Sequence, residues 1–505
     1  MKRIVFLFFC VLTVCLWTGC GSVTSTTVST GTKINNPDAS FGGTEDINEQ
    51  IDTVGMLEAP ETDYELPKSV SAICVDLEGY LPDSDKEAVV FGEILPTFFE
   101  IKRVDDDETV FSKEIAEKAY KNAEGEEEKI NSVIISFTEF VEPGTYYIET
   151  SNAGRSENFS IGEDVLSELL NECFEGLYSL KYDCANADGL EDEVCLENNP
   201  NARINVAGGW FTGDNYSRDT ATGAIAALDM MMSYEYHSAV YPDKYSFDKT
   251  EGSNGIPDIL DDIRYEIDWI IKMQNPKTGG VYNGVIPDEN NEYVICKETT
   301  RATAYACAAL ERFSYLILKY DKEYSGVCYQ AAAKAWKCLE ANRSIVSDDQ
   351  MFRASVEMYR ASGRQEYMSV IEAYLKNNVP DISKRIVLDG AITYMATPRH
   401  IDVSACDKLM ASLMQRTEDK SEAAHNNPYM VEDTKMDMMS LLRNSYELVM
   451  VDYIINSKEY SDIEMDYLHY FCGRNKDGVK LLDNQKNPDV YAQFIVLAGK
   501  LTDRR

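Results

Sequence analysis

The chain has 505 residues and carries 86 acidic against 48 basic side chains, a formal net charge of −38. A surface of that sign repels phosphate, which argues against a nucleic-acid partner and suits a neutral ligand. Beyond the N-terminus no run reaches about 18 uncharged apolar residues, so no transmembrane helix is expected there.

In chain order, Lys2 and Arg3 precede an apolar run over 4–17, then Thr18, Gly19 and Cys20. This pattern predicts a lipoprotein signal peptide over 1–20, with Cys20 as the lipidated residue. The expectation is an exported protein, anchored by lipid to the cell membrane on its extracytoplasmic side. Residues 21–62 are Ser/Thr-rich and acidic, with little apolar surface to bury, which predicts a flexible tether.

Over 63–163 the apolar residues alternate in short runs: SVSAICVDLEGYL, EAVVFGE, FFEIKRV and SVIISF. Turn sequences LPDSDK, DDDE, EPGTY and SNAGRS separate them, with Gly144 as a turn residue. Period-two runs at this spacing predict a small immunoglobulin-like β-sandwich.

From 164 to 505 the period becomes helical. Ile259, Leu260, Ile263, Ile267, Ile270 and Ile271 recur at helical spacing, with Asp261, Asp262, Arg264 and Asp268 between them. Roughly eleven or twelve such helices follow, without strands. They lie near 165–182, 218–236, 256–273, 299–320, 323–341, 349–361, 365–377, 383–395, 403–420, 435–456, 459–472 and 488–501. The class is mainly α, either a solenoid or a toroid, and the absence of a fixed-period motif weighs against a repeat array. Thirteen cysteines show no disulfide framework; Cys307, Cys328, Cys338 and Cys472 sit in helical runs as small apolar residues.

Four motifs decide between the toroid and the solenoid by resemblance. NGIPDILDDIRYEIDWIIKMQNPKTGGVYNGV (254–285), DDQMFRASVEMYRASGRQEY (348–367), YLHYFCGRNKDGV (467–479) and GGWFTGDNYSRD (208–219) resemble, in order, segments of the family 9 glycoside hydrolases, of the cellulase type. GYLPDSDKEAVV and EFVEPGTYYIETSNAGRSENFSIGEDV resemble the immunoglobulin-like domain that precedes many of their catalytic domains. The resemblance implies an (α/α)6 barrel over 164–505 with an open cleft for β-1,4-linked glucans.

It also implies hydrolysis with inversion. That chemistry needs an ionised carboxylate to activate water and a protonated carboxyl for the leaving oxygen, roughly 6.5–9.5 Å apart. The family's base motif reads Gly-Gly-Trp, an aromatic residue or His, then Asp-Ala-Gly-Asp-Tyr. Thr212 and Asn215 occupy its two acidic positions here, and an amide cannot take a proton from water. Asp214, one residue off, is the candidate base. The family's acid is a Glu ahead of the last helix, following a His-His-Arg group. No His or Glu follows His469, and Asp483 and Asp489 are the carboxylates in reach. Asp489 is the candidate acid, with a first-turn helix role as its other reading.

Trp210 and Tyr216 are candidate sugar platforms, whereas Trp269 and Trp336 read as core. Some family members hold zinc on two Cys and two His. Cys184 and Cys195 match the cysteines, but Leu196 and Phe211 stand in for the histidines, so no zinc and no other metal ligand set is expected. No cofactor is implied; the family leaves room for structural calcium. The resulting expectation is a cell-surface, β-glucan-directed protein on a hydrolase frame, impaired or inactive because its catalytic carboxylates are replaced. The alternatives are an active inverting endo-β-glucanase using Asp214, or a structural lipoprotein without glycan contact.

Overall fold

The computed structural model describes residues 71–116, 120–121, 127–128, 131–184, 190–244, 252–377 and 380–503. The signal, Cys20 and the tether over 21–62 lie outside the described residues. Lys68–Arg505 is one compact unit.

Its first part is all β. The strands are β1 (Ile73–Cys74), β2 (Glu87–Phe91), β3 (Phe98–Arg103), β4 (Thr109–Glu114), β5 (Tyr120–Lys121), β6 (Glu127–Glu128), β7 (Ser132–Ser136), β8 (Gly144–Thr150), β9 (Gly154–Arg155) and β10 (Phe159–Ile161). One sheet has the order β1-β2-β7, a second β10-β8-β3-β4 with β9 on β8, and β5 pairs with β6. Alternation of side chains sends Val90 and Ile135 from the first sheet, and Ile101, Ile148 and Phe159 from the second, into one core around Tyr80 and Phe137.

Twelve α-helices follow among the described residues: α1 (Val165–Ser179), α2 (Thr220–Tyr236), α3 (Asp258–Lys272), α4 (Thr300–Ile317), α5 (Lys322–Ala341), α6 (Asp348–Ser362), α7 (Gln365–Asn377), α8 (Arg385–Met395), α9 (Val403–His425), α10 (Met438–Ile455), α11 (Ser461–Phe471) and α12 (Pro488–Thr502). Their starts are written locally. Asp219, Thr299, Asp321, Asp437 and Asn487 each cap a helix by accepting from a first-turn N–H. Ser347 and Gln350 form a reciprocal capping box at α6.

The even-numbered helices pack in sequence, and α12 returns onto α2, so α2, α4, α6, α8, α10 and α12 close a ring. The odd-numbered helices pack outside them, each returning the chain, so the inner six run one way and start at one end. This is an (α/α)6 barrel. Burial follows the layers: α12 is buried from Pro488 to Leu501, whereas α9 buries only Leu409, Leu413, Thr417 and Ala424. Several charged side chains inside the ring are paired. Arg353 lies 2.8 Å and Arg312 3.2 Å from Glu357, and Arg385 lies 2.7 Å from Asp389.

One sequence expectation is corrected. The helical part is not free of strands. β11 (Glu193–Leu196), β12 (Asn199–Asn205), β13 (Arg218–Asp219), β14 (Gly284–Pro287) and β15 (Tyr293–Ile295) form a sheet in the order β12-β11-β15-β14-β13. Four of these strands are two to four residues long and the seven-residue β12 is mostly polar, so no long alternating apolar face announces them. Pro257 holds the N-cap position of α3.

The sandwich meets the ring through a polar seam. Leu77 N–H donates to the Cys472 carbonyl at 2.8 Å, and His469 Nδ1 lies 2.6 Å from Asp76 Oδ2. Lys480 links Glu172, at 2.7 Å, with Glu78.

Candidate active-site loop

The loop over 206–219 leads into α2 at the end of the ring where the inner helices begin. Its path is set from behind. Gly208 and Gly209 have φ of +104° and +83°, and a Cβ on Gly209 would stand 2.6 Å from the Trp269 ring. Trp210 N–H donates to Glu266 Oε2 at 2.8 Å. Arg218 Nη1 donates to the carbonyls of Val206 and Gly208, both at 2.6 Å, and its guanidinium sits 4.6 Å above the Tyr182 ring.

Glu266 is fully buried. Desolvation pushes its carboxyl up to about 8, against the opposing pull of the Trp210 N–H and Arg218. Gly223 gives it room: a Cβ there would lie 1.9 Å from Glu266 Oε1. Glu266 and Arg218 are thus the residues that hold the loop, and both escaped sequence reading. The signal available was a Glu between Ile263, Ile267 and Ile270, on the buried stripe of α3.

The front of the loop is turned outward and its polar groups serve the turn. Thr212 N–H donates to the Ser217 carbonyl at 2.7 Å; its hydroxyl donates to the same carbonyl at 3.1 Å and accepts from Asp219 N–H at 3.1 Å. Asn215 Oδ1 accepts from Ser217 N–H at 3.2 Å, an Asx turn, and its carbonyl accepts from the Tyr293 hydroxyl at 3.0 Å. Asp214 is exposed and makes no hydrogen bond among the described residues. Asp219 is spent on capping α2 and on Arg301, at 3.1 Å, and Asn283, at 3.2 Å.

Asp489 is elsewhere. It is 7 % exposed on the first turn of α12, where Gln493 Nε2 donates to it at 3.0 Å and its own N–H donates to Asn487 Oδ1. It faces Asp229 inside the ring; burial raises the Asp229 carboxyl, with Arg385 acting in the opposite direction and Asp489 adding to the rise. Asp214 and Asp489 therefore do not form a facing pair: one stands in solvent and the other is enclosed. Asp483 is exposed. Ahead of α12, Gln485 Nε2 donates to the Leu481 carbonyl at 2.7 Å.

The two candidate sugar platforms separate. Trp210 is 0 % exposed and packs in the core, which corrects the expectation of a sugar-stacking face. Tyr216 is 39 % exposed at φ +54°, with its ring held edge-on by Phe211 at 5.0 Å. Cys184 is exposed and Cys195 half-buried, both with free thiols. Among the described residues no group of three or more His, Cys, Asp or Glu is arranged to hold a metal ion. Trp269 and Trp336 are buried, at 1 % and 3 %.

An inner and outer ring of six helices behind an immunoglobulin-like sandwich, with a glycine-backed Trp loop at the ring's opening, defines the class of a glycosidase frame. The chain belongs to glycosyl hydrolase family 9, which matches residues 176–482, and a cellulase N-terminal Ig-like domain matches residues 68–155. Endoglucanase D of Acetivibrio thermocellus is 25 % identical over 382 residues, covering 65 % of this chain and 58 % of its own length. The match thus spans little more than half of that relative. A xyloglucan-specific endo-beta-1,4-glucanase of Bacteroides ovatus is 22 % identical, covering 71 % of this chain and 70 % of its own. Among solved structures, a metagenome-derived family 9 endoglucanase superimposes with a TM-score of 0.73 at 19 % identity, covering 85 % of this chain and 98 % of its own.

Proposed function

We propose that this protein is a β-glucan-directed member of family 9 whose hydrolytic turnover is impaired or lost, and that it binds glycan at the open end of the ring. It would act at the cell surface, exported and held to the membrane through a lipid on Cys20. The observation that carries the reading is the use made of Thr212 and Asn215. Their side chains complete a turn, and neither can accept a proton from water at neutral pH. The loss of a positioned base costs about 10²- to 10⁴-fold in rate. On the acid side, the candidate Asp489 is enclosed and already accepts from the Gln493 amide.

Tyr216 supplies a ring accessible to a sugar face. The named relatives are endoglucanases, which motivates cello-oligosaccharides and xyloglucan as the first ligands to try. A second reading rests on the exposed carboxylate of Asp214: an inverting endoglucanase with a relocated base.

Reducing ends released from soluble β-glucan, measured for the wild type and Asp214→Ala, separate the two. The expected result is equal release at background. Robust release that Asp214→Ala abolishes establishes the second reading. Affinity electrophoresis in β-glucan then tests binding, with retardation expected and its loss expected in Tyr216→Ala. A protein that is not retarded has no glycan role. Release of a Cys20→Ser chain into the medium tests the anchor.

A further inference from the structure

A pocket of about 440 Å³ opens between the sandwich and the rim of the ring. Phe91 and Glu93 from the end of β2, and Asn131 and Ser132 from the start of β7, form one wall. Tyr429, between α9 and α10, and Lys476, between α11 and α12, form the other. Both connections lead from an outer helix to the start of an inner one. The pocket therefore lies at the same end of the ring as the candidate active-site loop. It is a separate place, since neither Asp214 nor Tyr216 lines it.

Its walls are held from behind. Gly92 N–H donates to the Asn131 carbonyl at 2.9 Å, and Phe91 pairs with Ser132 across β2 and β7. Tyr429 N–H donates to Asn427 Oδ1 at 2.9 Å, and the Tyr429 and Tyr470 rings meet edge-to-face at 6.3 Å. The GRN motif fixes the rest. Asn475 Nδ2 donates to the Tyr470 carbonyl at 2.8 Å and the Val479 carbonyl at 2.7 Å, which closes the turn that carries Lys476. The front of the pocket is uncommitted. Among the described residues the side-chain polar groups of Glu93, Asn131, Ser132, Tyr429 and Lys476 make no hydrogen bond or ion pair. Glu93, Asn131 and Lys476 are exposed, and Phe91 and Tyr429 are half-buried.

Two aromatic rings edged by a carboxylate, an ammonium, an amide and two hydroxyls suit a sugar, which presents C–H faces edged by hydroxyls. A hydroxyl both donates and accepts, so it can meet Glu93 and Lys476 alike. A phosphate gains Lys476 but is opposed by Glu93, and an apolar peptide leaves the polar groups without partners. The volume falls within the roughly 300–1,000 Å³ of small-ligand sites.

We propose that this pocket is a second glycan site, holding one stretch of a neutral glucan strand whose other part occupies the opening of the ring. The choice of glucan rests on the β-glucan-directed reading of the chain. Two sites on one polymer raise affinity through effective concentration, with no new contact at either. The second site therefore adds to the binding of a polysaccharide and little to that of a disaccharide.

Affinity electrophoresis in barley β-glucan and in xyloglucan, beside calorimetric titration with cellobiose, tests this. Asn131→Ala, at an exposed position that leaves folding intact, is expected to weaken polymer binding by about threefold, and Tyr429→Ala by about tenfold. Both are expected to keep cellobiose binding within about twofold of the wild type. Tyr216→Ala is expected to weaken binding of polymer and disaccharide together. Polymer binding unmoved by Asn131→Ala and Tyr429→Ala overturns the second site and leaves the ring reading standing. Polymer binding lowered by those two substitutions but not by Tyr216→Ala keeps the pocket and overturns the ring reading. A wild type that neither polymer retards overturns both.

Discussion

The two faces of the loop over 206–219 differ in kind. On the rear face Gly209, Trp210 and Arg218 pack against Trp269 and Glu266 with every approach close, and the family pattern of Gly-Gly-Trp is intact there. On the front face Thr212, Asp214 and Asn215 stand where the pattern calls for acids and a small residue, and their side-chain hydrogen bonds stay within the turn or are absent. Packing constrains the rear independently of any reaction, because a change there disturbs the ring. Only proton transfer constrains the front, so it can diverge without cost to the fold.

The difference can be broken from the rear first. Gly209→Ala places a Cβ against Trp269 at a φ that L side chains rarely adopt. It is expected to destabilise by about 3 kcal/mol in urea unfolding; a loss under about 1 kcal/mol would mean that the rear face is not tightly packed. Glu266→Gln probes the same face through pH. The folded carboxyl, at about 8, lies above its ordinary value of 4.5, so the folded state binds more protons between those values. Stability is therefore lost as pH rises from about 4.5 to about 8. The amide still accepts from Trp210 N–H and removes that loss. Thermal unfolding should show Glu266→Gln more stable than the wild type at pH 8.5 and level with it near pH 4.5. A gain that does not depend on pH would show that Glu266 is not held neutral. The smallest effect belongs to the front. Asn215→Asp keeps the acceptor for Ser217 N–H and is expected to shift stability by less than about 0.5 kcal/mol. A large shift would mean that the front, too, is structurally fixed.

Much of the fold is legible in the residues. The helices followed from 3.6-residue spacing to within a few positions at most ends, because an inner or outer helix must show one apolar stripe to its neighbour. The sheet β11–β15 was not legible, since Asn199–Asn205 is polar and pairs through its backbone. The site was legible as chemistry and less so as placement. Thr212 and Asn215 could be read as non-acids from the register alone. The enclosure of Trp210 depends on Trp269 and Glu266, more than fifty residues away, and no local pattern carries that. Asp489 illustrates the reverse: its place just ahead of VYAQF already described a first-turn helix acid, and the burial of α12 explains why it cannot meet solvent.

The closure of α12 onto α2 and α1 has a consequence for biosynthesis. The seam of the ring joins its first-made helices to its last-made one. Until the fifteen residues of α12 leave the ribosome, α2 and α10 lack the neighbour that covers them. The ring therefore assembles only after nearly all of it has been translated, by which time the sandwich can already have folded.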